Sequence, residues 1–297
     1  MIQTVKRYIG QNKAFNMLVG KHNNRKREKQ LQTEFSELIR DYSEIQIAEN
    51  TEAKNSNYLW LCWWQGEKAM TPLVRKCYQR ICELNTDKNI ILITDDNLNE
   101  WVQFPDYIIK KFHHGTITNT HMSDLLRCEL LRHYGGIWMD ITIYPSASVP
   151  EQCYAHPVYS CRTKPEAWSF NVSESRWTSF FWVSRKPQNI LFCFMSDFWK
   201  AYWKTYDTLI EYFLVDFAFA LAYDQIPAVK KEIDEIDLNG CGTDCWQLLN
   251  EIRVHALYDE KRLQEIQKDG WFQKLSYKGE EHWKNDGGDT FYKHLFL

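Results

Sequence analysis

Residues 122–143 read M-S-D-L-L-R-C-E-L-L-R-H-Y-G-G-I-W-M-D-I-T-I. A helix-period run, Met122–Tyr134, stops at Gly135-Gly136 and passes without a linker into the apolar run Ile137–Ile143, which has the length of a strand. A helix delivered straight into a strand is one half of an alternating α/β unit. The rest of the chain repeats the alternation. Tyr58–Trp64 reads as a short apolar strand, Pro72–Leu84 as a helix, and Asn89–Thr94 (N-I-I-L-I-T) as a second strand ended by Asp95 and Asp96. The expected fold class is therefore α/β, with a mainly parallel central sheet flanked by helices. Beyond Pro150, residues 178–184 suggest a further strand, and 189–223 and 246–268 mostly helix.

Composition is that of a globular protein. Of 297 residues, 36 are Lys or Arg and 39 Asp or Glu, a formal net charge of −3, and 44% are hydrophobic. A chain of this length buries about three quarters of its extended surface on folding, so it needs no disulfide scaffold. Its nine cysteines include no C-x-x-C pair, and Cys241 and Cys245 stand too isolated for a zinc site. They are read as the reduced thiols of a cytosolic protein. Met1–Lys13 lacks the apolar core of a signal peptide, and no later stretch reaches the ~18 apolar residues of a membrane span. The longest apolar run, Tyr212–Tyr223, is interrupted by Asp216. No sustained period marks a repeat or coiled-coil architecture.

Charge is uneven along the chain. Residues 1–30 hold eight basic side chains and one acid, Glu28, a local charge of +7 that leaves −10 for the remainder. Two readings compete for this arm: a solvated, partly helical extension, or a segment drawn to anionic lipid headgroups. Nucleic acid is a poorer partner, because the body of the chain is acidic. Residues 30–48, with Leu31, Phe35, Leu38 and Ile39 on one face, read as a helix, and Glu49–Asn57 as a linker. The expected division is a basic helical arm and linker over 1–56 and a main domain over 57–297.

Ligands of open α/β sheets gather at the carboxyl ends of the strands, so polar groups ending apolar runs are the first candidates. Asp140 interrupts I-W-M-D-I-T-I, where a carboxylate loses hydration unless it is paired or holds a cation. Thr142, two positions on, shares its face in an extended strand, and together they offer oxygen ligands suited to Mg²⁺ or Mn²⁺. Upstream, Ser123 is placed to cap a helix, with Asp124 in its first turn and Arg127 three residues on. Alternatives stay open for each: an Asp satisfied by backbone N–H groups, and a local surface ion pair. Arg132 and Glu129 fit solvated positions on the same helix. Further along, Asp216 sits in an apolar helical run with Tyr212 one turn before it; the alternative is a buried carboxylate accepting from a Tyr or Trp donor. The tail supplies Lys274, Lys278, His282 and Asp289. Thirteen tryptophans suit sugar faces, yet aromatic residues more often fill cores. P-loop, dinucleotide-binding, G-x-S-x-G and H-E-x-x-H motifs do not occur.

The stretch S-D-L-L-R-C-E-L-L-R-H-Y-G-G-I-W-M-D-I-T, residues 123–142, resembles the donor-site signature of sugar transferases of the capsular polysaccharide synthesis family, relatives of D-x-D-containing mannosyltransferase-like and clostridial-toxin-like enzymes. The resemblance extends to W-W-Q-G at Trp63–Gly66 and more weakly over about residues 57–295. It implies a GT-A-type fold, a nucleotide-diphosphate sugar donor and a divalent metal, Mn²⁺ or Mg²⁺. It places Trp64 on the nucleotide base with Gln65 beside it, Asp124 and Arg127 at the donor sugar and diphosphate, and Asp140 at the metal and at the ribose or sugar. The second acid of the D-x-D pattern is Thr142 here, a D-x-T version that resembles the usual form of the capsular branch, and the departure puts metal affinity and strict metal dependence in question. Relatives close the site with a C-terminal segment, making Lys278 a candidate diphosphate contact and His282, with Asp140 and Thr142, a candidate metal ligand. Tyr212 and Asp216 are the acceptor candidates. The function so implied is a retaining transfer of a hexose to a lipid-linked oligosaccharide, the repeat unit of a surface polysaccharide, by a cytoplasmic enzyme peripheral to the inner face of the membrane. The rival is a non-catalytic relative that binds glycan or scaffolds other enzymes.

Overall fold

A computed structural model describes residues 13–45, 55–163, 171–236, 244–285 and 287–297. Parts of the basic arm and of the linker expected over Glu49–Asn57 lie outside them, as do Trp168 and Cys241.

Seven strands are described: β1 Tyr58–Cys62, β2 Asn89–Ile93, β3 Gly136–Met139, β4 Ile143–Pro145, β5 Val158–Ser160, β6 Phe181–Ser184 and β7 Phe272–Lys274. The helices are α1 Lys13–Glu34, α2 Ser36–Ser43, α3 Pro72–Leu84, α4 Leu98–Trp101, α5 Asp106–His113, α6 Asn119–Tyr134, α7 Ile190–Thr205, α8 Leu214–Gln225, α9 Pro227–Asp234, α10 Gln247–Arg253, α11 Glu260–Asp269, α12 Glu280–Trp283 and α13 Phe291–Phe296. The central sheet has the order β2-β1-β3-β6-β5. β1 pairs in parallel with β2 and β3, while β6 is antiparallel to both β3 and β5. Four strands thus run one way and β6 runs against them. The result is the mainly parallel α/β sheet that was expected, consistent with a GT-A-like fold.

Local chemistry explains the element ends. Thr71 caps α3 by accepting from the Val74 N–H, with Pro72 in the first turn, where its missing N–H is no loss. At the other end of the αβ junction, Gly135 and Gly136 have φ of 64° and 92°, a conformation costly for residues bearing a Cβ. They turn the chain from α6 into β3 within two residues.

Two readings of the junction and one of the N-terminal helix need correction. Helix α6 begins at Asn119 and its cap is Thr118, so Ser123 lies inside the helix and Asp124 beyond the first turn. The run Ile137–Ile143 is two strands broken at Asp140. The Asp140 N–H donates to the Phe180 carbonyl at 2.8 Å and its carbonyl accepts from the Ile143 N–H at 2.9 Å, closing a turn. β4 then leaves the central sheet and pairs antiparallel with β7, Ile143 opposite Lys274. The carboxylate escapes the apolar ladder by standing at its end. Third, the helix read over 30–48 is two helices: α1, starting upstream at Lys13, and α2, ending at Ser43.

The core falls into two clusters. The larger surrounds the central sheet and includes Leu31, Phe35 and Ile39, so the end of α1 and the start of α2 are docked, with the Phe35 ring 4.7 Å from that of Phe198 on α7. A second cluster gathers Leu73, Val74, Tyr144, Leu248 and Tyr292 around β4, β7 and the C-terminal helices. Tryptophans fill the first: Trp60, Trp138, Trp177, Trp182, Trp199 and Trp203 are fully buried. The reading of every cysteine as a reduced thiol is also corrected. Seven are free, but Cys161, buried just after β5, is disulfide-bonded. Sequence spacing cannot show which sulfurs a fold brings together.

Candidate active site

The carboxyl ends of the parallel strands β1 and β3 carry Trp64 and Asp140, and the first half of α6 runs past them. This brings Asp124, Arg127 and Asp140 together, as the sequence predicted. Arg127 is the hub, 5% exposed. Its Nη2 lies 3.2 Å from Asp124 Oδ1 and 3.7 Å from Asp140 Oδ1. Its Nη1 donates to the Ser179 carbonyl and its Nε to the Ser123 carbonyl at 3.3 Å. The guanidinium also rests 5.0 Å from the Trp138 ring and 5.6 Å from the Trp182 ring. Trp138 Nε1 donates to Asp140 Oδ1 at 3.1 Å. One aromatic-walled cation therefore orients two carboxylates. Only Asp140 keeps substantial access to solvent, at 27% of its side chain against 7% for Asp124.

Burial shapes the charge state. It pushes the Asp124 carboxyl up to about 7; Arg127 draws it down, while Asp140 and Asp216 push it further up. Burial likewise raises Asp216 to about 6, against hydrogen bonds from Asn171 and Trp177 and the charge of Arg127. Arg127 is shared among carboxylates and does not offset the lost hydration of Asp124.

The fourth member of the site is Lys274 on β7. Its Nζ lies 2.6 Å from Thr142 Oγ1, 3.0 Å from the Leu275 carbonyl and 3.7 Å from Asp140 Oδ2. Lys274 also lines a cavity of about 580 Å³ with Trp177, Phe180, Asp216, Trp246 and Arg253. The implied divalent metal fits this arrangement poorly. Asp140 and Thr142, no longer on one extended strand, both face the Lys274 ammonium group, and His282 does not join them: it is exposed on α12. Among the described residues no group of three or more His, Cys, Asp or Glu side chains is placed to hold a metal ion. A metal shell of about six oxygens would have to displace Lys274.

The other predicted residues disperse. Trp64 is 7% exposed, and its Nε1 donates to Ser123 Oγ at 2.9 Å and to the Asn119 carbonyl at 3.0 Å. It occupies the buried alternative, while the adjoining Gln65 is exposed. Lys278 is exposed, and the cation that meets Asp140 from the C-terminal segment is Lys274. Asp216 accepts from Trp177 Nε1 and Asn171 Nδ2, both at 3.2 Å, at the edge of the cavity. Tyr212 precedes α8, is half exposed and packs edge-on against His121, so it does not share a helical face with Asp216. Glu129 and Arg132 are not simply solvated. Glu129 is buried and ion-paired to Lys200 at 2.5 Å, and Arg132 pairs with Asp197 at 2.5 Å. The sequence named Lys274 among the polar residues of the tail but assigned the diphosphate contact to Lys278. The only signal for it was a lone cation in the apolar context W-F-Q-K-L.

Comparison with known proteins gives one finding: a family model described as capsular polysaccharide synthesis protein matches residues 8–295. No curated protein and no solved structure matches the chain.

Proposed function

The chain belongs to the capsular polysaccharide synthesis family, and from that premise we propose that it is a glycosyltransferase moving a hexose from a nucleotide-diphosphate sugar to a lipid-linked oligosaccharide, with retention at the anomeric carbon. The observation that carries this reading is the meeting of Asp124, Arg127, Asp140 and Lys274 at the carboxyl ends of parallel strands, beside a cavity of about 580 Å³. In this reading Arg127, too buried to reach a substrate freely, holds Asp140 in position, and the half-exposed Asp140 binds the donor's sugar or ribose hydroxyls. Trp246 and Phe180 give the cavity apolar faces against which a sugar ring lies. The anionic diphosphate that departs requires cationic groups already in place.

In this reading the basic residues of α1 hold the protein at the anionic membrane surface that carries its lipid-linked acceptor; His22, Arg25, Lys26 and Lys29 line, with Glu28 and Asp224, a second cavity of about 630 Å³ between α1 and α8. Among the described residues no helix is long and apolar enough to cross a membrane, so the membrane contact in this reading is peripheral.

The test is a panel of nucleotide-diphosphate sugars incubated with the protein, reading released nucleoside diphosphate, with Asp140→Ala as control and with acceptor lipid presented in anionic and in neutral vesicles. Release from one donor, lowered at least about 100-fold in Asp140→Ala and faster on anionic vesicles, is the expected result. No release from any donor by folded protein, with or without acceptor, favours the glycan-binding scaffold instead.

A further inference from the structure

We propose that Lys274 binds the donor's diphosphate directly, in the place a divalent cation would take, and that the protein binds nucleoside diphosphates without metal. The inference rests on the transferase reading only for the identity of the ligand; its geometric basis is independent of it.

Lys274 is not a loose surface lysine. Its strand is held on both sides: the Lys274 N–H donates to the Cys245 carbonyl at 2.6 Å, and the Leu275 N–H to the Thr142 carbonyl at 2.9 Å. Pairing with Ile143 sets its Cα across from β4. The side chain is 18% exposed, with its Nζ 5.8 Å from the Phe180 ring. An ammonium group has three N–H donors. Two are engaged at hydrogen-bond distance, by Thr142 Oγ1 and the Leu275 carbonyl. Asp140 Oδ2, at 3.7 Å, attracts the charge without taking the third. That third donor is left for a ligand oxygen in a cavity that Lys274 itself lines.

The same contacts disfavour a metal. A divalent ion ligated by Asp140 and Thr142 would sit within a few ångströms of Nζ, and like charges at that range repel strongly where burial keeps water away. Threonine in place of the second acid of the D-x-D pattern removes one anion from the position and supplies a hydroxyl that accepts from the ammonium. Thr142 and Lys274 thus form a pair: one lowers the demand for a metal and the other fills its place. In the transfer step, the bond from the anomeric carbon to the diphosphate oxygen breaks with its electron pair going to that oxygen. The acceptor hydroxyl oxygen forms the new bond, and its proton passes to the released diphosphate. Lys274 donates a hydrogen bond to the diphosphate as its charge grows.

The test measures binding of UDP, GDP, ADP, CDP and dTDP by calorimetry in excess EDTA and again in Mn²⁺, for wild type, Lys274→Met and Lys274→Arg, with donor turnover followed under both conditions. The expected result is binding of one nucleoside diphosphate in EDTA, weakened at least ~10-fold in Lys274→Met and partly regained in Lys274→Arg, with Mn²⁺ changing the wild-type affinity less than about twofold. Binding that requires Mn²⁺, binding in EDTA that folded Lys274→Met retains in full, or no binding under any condition overturns the proposal. If Lys274→Met does not fold, the wild-type comparison of EDTA with Mn²⁺ and the Lys274→Arg affinity decide it. The two readings fail separately. Turnover confined to Mn²⁺ removes the role of Lys274 and leaves the transferase. Lys274-dependent binding in EDTA with no donor cleaved removes the transferase and leaves the site.

Discussion

Asp124 holds its proton to a pH at which an exposed aspartate is long ionised, because burial raises its carboxyl from 3.8 to about 7. Between those values the folded state binds a proton that the unfolded chain has released, so stability falls as pH rises through the interval and levels off above about 7. Asp216, raised to about 6, adds the same sign over the lower part of the window. Thermal unfolding of the wild type is therefore expected to show a Tm that declines from pH 5 to pH 8, with a shallower decline in Asp124→Asn. An unchanged slope in that variant would show that the proton is held elsewhere. At this scale the sequence was informative where a charge stood in apolar surroundings. Asp124, Arg127 and Asp140 were legible because each needs a partner and all lie within one helix–strand unit. Lys274 was not, because its partner Thr142 lies 132 residues away and the two meet only through the pairing of β4 with β7. Trp64 misled for a related reason: an indole at a strand end looks the same in sequence whether it stacks on a ligand or is capped by Ser123 and Asn119.

Among the elements, the junction of α6 with β3 is the most tightly constrained. A Cβ on Gly136 would stand 2.5 Å from the Tyr58 carbonyl oxygen and 3.1 Å from Ser56 Oγ, in a backbone with φ of 92°. The obstacle is main chain at the start of β1, which cannot move without disturbing its pairing with β3. Gly136→Ala is expected to cost about 2–4 kcal/mol in urea unfolding; a cost under about 0.5 kcal/mol would mean that the strands shift freely there. The alternation of helix and strand up to this junction was readable because each run was long enough to show its period. The break at Asp140 was not, since the chain turns there to let β4 pair with β7, a strand far along the sequence that leaves no trace in the local pattern.

At the scale of the whole molecule, one buried carboxylate ties α3 to the C-terminal helices within the second hydrophobic cluster. Glu280 Oε1 accepts from the Leu73 N–H at 3.0 Å, in the first turn of α3, and from the Tyr292 hydroxyl at 2.8 Å. Glu280→Ala leaves both donors buried without that partner, and a loss of about 2–4 kcal/mol is expected in denaturant unfolding. Glu280→Gln, which keeps an acceptor oxygen, should lose less, and equal losses would show that the charge rather than the hydrogen bonds matters. The pairing of β4 with β7 has a bearing on how the protein is made. Ribosomes emit Thr142 first and Lys274 132 residues later, a delay of about 7–26 s at ~5–20 residues per second. Throughout that interval β4 has no partner strand, and the apolar faces of Ile141 and Tyr144, buried in the finished protein, have no C-terminal helices to cover them. The nascent chain therefore carries a sticky, uncapped edge for nearly half of its synthesis, and chaperones that bind exposed apolar strands will find it there.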